Sequence, residues 1–123
     1  MSNPVLWFEV LGKDGKALRK FYGELFGWNI QEAGGGTDYG LVGASDGGVG
    51  GGIGTSQDGG PGFATFYVEV DDIGKALARA QKLGGTVVLP ETDIPGMDLK
   101  FAYFTDPEGH VIGLSKGMAQ MAG

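Results

Sequence analysis

Two glutamates stand about sixty residues apart in matching settings. Glu9 follows Trp7 in Val5-Leu-Trp-Phe-Glu-Val10, and Glu69 follows Tyr67 in Thr65-Phe-Tyr-Val-Glu-Val70. In each segment the aromatic and the carboxylate are two residues apart, so on a strand they share a face. An aromatic face attracts a cation and a carboxylate pairs with one, so the grouping suits a flat or cationic organic ligand. Two carboxylates can also divide the work of general acid and general base, if their surroundings separate their pKa values. The plainer alternative is that both glutamates are solvated or structurally paired. Binding is expected ahead of catalysis, because a pocket of this kind does not by itself give turnover.

Other chemistries are scarce. The chain has no cysteine, which removes disulfides, thiolate nucleophiles and thiolate metal sites, and it has one histidine. That histidine, His110, follows the turn Asp106-Pro-Glu-Gly109 and opens a strand, where a turn or strand-edge role is favoured over general base. The glycine tract from Gly47 to Gly54 has no lysine or helix start after it, so it is not a phosphate loop. Tyr39, Phe101 and Tyr103 are candidates either for the same pocket or for the core. Trp28 reads as a core lid, and the lysines and arginines of both helices as solvated faces.

The elements that must position these residues form a repeat. The sequence predicts strand, helix and three strands, twice. In the first copy Leu6, Phe8 and Val10 alternate with Val5, Trp7 and Glu9. Asp14 caps a helix whose apolar stripe is Leu18, Phe21, Tyr22, Leu25 and Phe26, and Gly27 ends it. In the second copy Phe66, Val68 and Val70 face a helix capped by Asp71 or Asp72. That helix has the apolar face Ile73, Ala76, Leu77, Ala80 and Leu83, and Gly84-Gly85 stops it. Module one spans about 4–54, a flexible glycine-rich connector about 55–62, and module two about 63–116, followed by a short tail. The expected fold is α+β: two tandem βαβββ modules in a single domain of 123 residues, forming a curled, cavity-enclosing mixed sheet.

Phe21-Tyr-Gly-Glu-Leu-Phe-Gly-Trp28, Val68-Glu-Val-Asp-Asp-Ile73 and Asp106-Pro-Glu-Gly-His-Val-Ile-Gly-Leu114 together resemble the vicinal oxygen chelate superfamily of glyoxalases, bleomycin-resistance proteins and extradiol dioxygenases. The resemblance covers nearly the whole chain. It implies paired βαβββ modules around a cavity, within a homodimer. Metal-dependent members carry His or Gln early in the first strand of each module and Glu on the last strand. Those positions here are Val5, or Trp7 if the strand slips by two, together with Thr65, Gly52 and Gly113. Val and Gly offer no lone pair and Thr a weak one, so no metal and no cofactor is expected. The resemblance thus points to metal-independent binding of a small aromatic or cationic molecule. The alternative is a lyase or dioxygenase-type enzyme that uses Glu9 and Glu69 as acid/base or as metal ligands.

Charge and composition bound the partners. The net charge is −6, which argues against nucleic acid and anionic membrane. No basic run followed by an apolar segment marks the N-terminus, and no stretch approaches a membrane span, so the expected location is cytoplasmic. Glycine is abundant, with 26 residues. In the fourth strand it is expected where a backbone or ligand approaches closely, including the backbone of a homodimer partner.

Overall fold

Both helices begin where an aspartate can accept their first free amides. The Ala17 N–H donates to Asp14 Oδ1 (3.1 Å) and the Lys75 N–H to Asp72 Oδ1 (3.0 Å). The computed structural model describes residues 2–34, 37–44 and 48–118; Gly35, Gly36 and Gly47 of the glycine clusters and the tail from 119 lie outside them. The described residues form β1 (Val5–Gly12), α1 (Gly15–Phe26), β2 (Ile30–Glu32), β3 (Tyr39–Val42) and β4 (Gly50–Thr55). The same order follows in β5 (Phe63–Glu69), α2 (Ile73–Lys82), β6 (Thr86–Asp93), β7 (Lys100–Thr105) and β8 (Val111–Lys116). The α+β class and the doubled βαβββ order are those expected from the sequence.

The chain packs as two compact units, Trp7–Ala64 and Met1–Leu6 with Thr65–Gly123. In the first, the strand order is β2-β3-β4-β1, with β1 parallel to β4 and β3 antiparallel to its neighbours. In the second, the order is β5-β8-β7-β6, with β5 parallel to β8. The second unit also takes in the chain's start, because the Glu69 N–H donates to Pro4 O (2.9 Å). β6 runs on through Pro90 to Asp93. It is the last strand in its order, where a missing N–H is tolerated, and its register shifts around that proline.

The core of the second unit follows the predicted faces. Ile73 and Leu77 of α2 pack with Ala102 and Leu114, flanked by Val68, Val70, Ala76 and Phe104. Leu83, expected on that face, is exposed because α2 ends at Lys82.

The first unit departs from expectation. Its helix does not bury the large apolar stripe. Gly15 and Arg19 are the buried residues of α1, while Phe21, Leu25 and Phe26 are exposed. Two features bring the helix down on that side. A Cβ at Gly15 would lie 2.5 Å from Gly54 C and 2.6 Å from Thr55 N, so only glycine allows the contact. Arg19 is not solvated, as its type suggested, but 8% exposed, and its guanidinium donates to Ile53 O (3.2 Å) and Asp38 Oδ1 (2.7 Å). Trp28 sits among Phe8, Tyr22 and Phe26 at ring separations of 5.0 to 6.1 Å, as a lid should.

The connector is a fastened turn. The Ser56 N–H donates to Gly12 O (2.7 Å), and Asp58 Oδ1 accepts from Ser56 Oγ (2.5 Å) and the Gly60 N–H (2.8 Å). The flexibility expected from its glycines is replaced by an aspartate-closed loop.

Gly15 gives a clear stability test. Glycine to alanine inside a helix ordinarily stabilises by up to about 1 kcal/mol. Here Gly15→Ala should instead destabilise by about 1–3 kcal/mol, since the new methyl meets backbone that cannot rotate away. A thermal melt reads the sign directly.

Candidate functional site

In the first unit the register of β1 on β4 sets Trp7 opposite Gly50 and Glu9 opposite Gly52. Tyr39 reaches them from β3. Its ring lies over Gly52 and Gly54, where any side chain would collide with it. The Trp7 indole N–H donates to the Tyr39 hydroxyl (3.3 Å), which donates to Glu9 Oε2 (2.8 Å). Glu9 is 5% exposed. The result is a directed chain from indole through phenol to a buried carboxylate. It explains part of the glycine tract: the space above these glycines holds rings of the chain itself, Tyr39 over Gly52 and Phe8 over Gly51. The close approach expected there is thus made by side chains of this chain.

The support behind Tyr39 is ionic. Asp38 accepts from Arg19 and from the Thr55 hydroxyl, which in turn accepts from the Gly15 N–H (2.9 Å). The Thr55 hydroxyl and then the Arg19 guanidinium hold the Asp38 carboxyl below its ordinary pKa.

In the second unit Tyr67 is buried, and its ring lies over Gly113, its register partner. Its hydroxyl shares a hydrogen bond with that of Tyr103, and the rings are 5.7 Å apart. Phe101 meets Tyr103 edge-on at 5.7 Å. Glu69 has a different setting from Glu9. Its carboxylate accepts from Ser115 Oγ (2.7 Å), the Gly117 N–H (2.9 Å) and the Met118 N–H (3.2 Å), which fastens the turn after β8. The structure therefore brings together Trp7, Glu9 and Tyr39 in one unit, and Tyr67, Phe101 and Tyr103 in the other.

The pairing also refines the symmetry. Gly50 and Gly113 face the two aromatics, whereas Gly52 and Ser115 face the two glutamates. The late strands are offset by three residues more than the first strands, so Gly52 and Gly113, equated from sequence, are not equivalent. None of these positions suits a transition metal. The Thr65 hydroxyl already donates to Val111 O (2.6 Å), and the Ser115 hydroxyl to Glu69. Among the described residues no three His, Cys, Asp or Glu side chains come together as metal ligands. His110 is exposed and holds its turn: its N–H donates to Asp106 Oδ1 (3.0 Å) and its Nδ1 lies 2.9 Å from Oδ2. The His110 amide, with the imidazole beside it, lowers the Asp106 pKa.

The family model described as Glyoxalase/Bleomycin resistance protein/Dioxygenase superfamily matches residues 5–114. The chain belongs to this superfamily. Two curated relatives, from Mycobacterium bovis and Mycobacterium tuberculosis, are named "Putative glyoxylase CFP32". Each is 30% identical over 114 residues, which is 88% of this chain and 43% of the relative. The chain thus spans less than half the length of the curated relatives it matches. Among solved structures, a superfamily member from Vibrio splendidus 12B01 superposes with a TM-score of 0.63 at 15% identity, covering 94% of this chain and 99% of that one. A variant of Streptomyces coelicolor methylmalonyl-CoA epimerase, in complex with 2-nitronate-propionyl-CoA, gives 0.60 at 18% identity, covering 94% and 95%. At these identities the structures establish the superfamily fold and nothing finer. Of the described residues, no helix is long and apolar enough to cross a membrane.

Proposed function

We propose that this superfamily member binds a small aromatic or cationic organic molecule without a metal. Trp7, Tyr39 and Glu9 are the binding group of its first unit, and Tyr67, Phe101 and Tyr103 that of its second. One observation carries the reading: the hydrogen-bond chain from Trp7 through Tyr39 to the buried Glu9 carboxylate. It fixes two aromatic rings beside an anion held out of bulk water, where a cation–π contact and a charge pair gain most. The acidic net charge of −6 supports a small molecule over nucleic acid or an anionic membrane.

The test uses phenyltrimethylammonium and its neutral isostere tert-butylbenzene, read by Trp7 fluorescence in a Trp28→Phe background. The cation should bind the tighter of the two. Glu9→Gln should cut its affinity roughly tenfold and leave the neutral probe nearly unchanged. Trp7→Ala, which removes the reporter and is read by isothermal titration calorimetry instead, should weaken both. Equal binding of the two probes, or cation binding indifferent to Glu9→Gln, would refute the reading.

A second reading, acid/base catalysis at Glu9, draws on the phenol that donates to its carboxylate. It requires Glu9→Gln to abolish turnover of a substrate while its binding persists. Glu69, with three donors on its carboxylate, serves in either reading as a fastening for the chain that follows β8.

A further inference from the structure

Register sets the candidate site of the first unit in a row that crosses all its strands. Glu9 on β1 stands opposite Gly52 on β4, Gly52 opposite Leu41 on β3, and Leu41 opposite Gln31 on β2. Partners across a sheet project from the same face. Leu41 and Gln31 therefore share the face that carries Trp7, Glu9 and Tyr39. The other face belongs to α1, whose Arg19 packs against Gly40 and reaches Glu32. Leu41 is 41% exposed, although it is a large apolar residue on an interior strand. Gln31, beyond it, is exposed as well.

The second unit repeats the row. Glu69 stands opposite Ser115, Ser115 opposite Phe101, and Phe101 opposite Thr92. Both rows run carboxylate, small residue, large apolar residue, uncharged hydrogen-bonding residue. In the second row the serine hydroxyl is bonded to the carboxylate. In the first, glycine takes the place of the serine, and the Tyr39 hydroxyl fills the space above it and donates to Glu9. The first row thus offers an acid beside aromatic rings, then an apolar step, then an amide. Neighbouring strands lie about 4.8 Å apart, so Gln31 stands about 14 Å from Glu9 along the row.

We propose that Leu41 and Gln31 are specificity-determining residues of this site, and that its ligand is an elongated organic cation. The positive charge lies at Glu9, an apolar span lies on Leu41, and an uncharged hydroxyl or amide at the far end bonds to Gln31. The glutamine amide both donates and accepts, so it matches a group that does both. The row holds no second charge to pair with a second ionised group. This inference rests on the binding of a cation at Glu9 proposed above and specifies the rest of the molecule.

Isothermal titration calorimetry with a set of cationic probes tests it. Phenyltrimethylammonium ends short of Gln31. 4-(3-Hydroxypropyl)phenyltrimethylammonium and its methyl-ended isostere, 4-butylphenyltrimethylammonium, extend past Leu41. Gln31→Met keeps the side-chain length and removes the amide. It should lower the hydroxyl-to-methyl affinity ratio about fivefold, the worth of one hydrogen bond, and leave phenyltrimethylammonium unchanged. Gln31→Val, a residue suited to a strand, should lower the ratio in the same way. Leu41→Ala should weaken both long probes and leave their ratio unchanged. Circular dichroism confirms that each variant folds. A ratio untouched by both Gln31 variants, or long probes indifferent to Leu41→Ala, overturns this inference alone so long as phenyltrimethylammonium still responds to Glu9→Gln. If phenyltrimethylammonium ignores Glu9→Gln, the cation reading falls and this inference falls with it.

Discussion

Gly52→Ala should cost about 2–4 kcal/mol and abolish ligand binding, a large effect for one methyl group. The new Cβ would fall inside the Tyr39 phenol. Tyr39 must then swing off β4, which removes the acceptor of the Trp7 indole and a donor of the buried Glu9 carboxylate. A buried acceptor that loses a donor bears most of its desolvation cost. The cost should fall when room is made: in Gly52→Ala/Tyr39→Ala the methyl no longer meets a ring. A double-mutant cycle on urea midpoints should therefore give a double variant less destabilised than the sum of the singles. Strict additivity would show that Gly52 and Tyr39 do not compete for the same space.

Arg19→Met should be nearly as severe, at about 2–3 kcal/mol, although Met keeps an apolar stem. What is lost is the guanidinium that satisfies Ile53 O, on a residue that is itself fully buried. Its ion pair with Asp38 adds less, because the Asp38 side chain is 52% exposed. The pH dependence has a defined sign. The Thr55 hydroxyl and the Arg19 guanidinium lower the folded pKa of Asp38 below the unfolded value of 3.8. The stability it contributes is therefore complete above that value and is lost as pH falls through the folded pKa. The gap between wild type and Arg19→Met should narrow as pH drops below 3.8, while the Thr55 share of the effect remains in the variant. A gap that stays constant from neutral pH down to strong acid would place the whole effect in the Ile53 carbonyl.

The two helices explain what the sequence could and could not tell. α2 was legible because its burial follows side-chain size: Ile73 and Leu77 go inward onto Ala102 and Leu114. α1 was not. Its inward face is a glycine and an arginine, which rank lowest in any apolar pattern. The contact is set by Gly54, Asp38 and Thr55, which lie far along the chain. The same contrast holds at the candidate site. Strand alternation and the repeat put Trp7 with Glu9 and Tyr67 with Glu69 on sequence grounds alone. That Tyr39 bridges Trp7 to Glu9, and that Glu69 is taken up by Ser115 and the amides beyond it, depends on register between distant strands. The signal that could have found Tyr39 is the run of glycines on β4, since a strand stripped of side chains leaves space for a large one from its neighbour.

The fastening of Glu69 bears on the order in which the chain can mature during synthesis. Residues 7–64 form one compact unit and can close as soon as they leave the ribosome. The other unit draws on both ends of the chain. The Glu69 amide takes Pro4, and the Glu69 carboxylate waits for Ser115, Gly117 and Met118. β5 must therefore stay unpaired with β8 while roughly forty further residues are translated, several seconds at ordinary elongation rates. During that interval it is an open strand edge, the form of a nascent chain most exposed to mispairing and most in need of a chaperone.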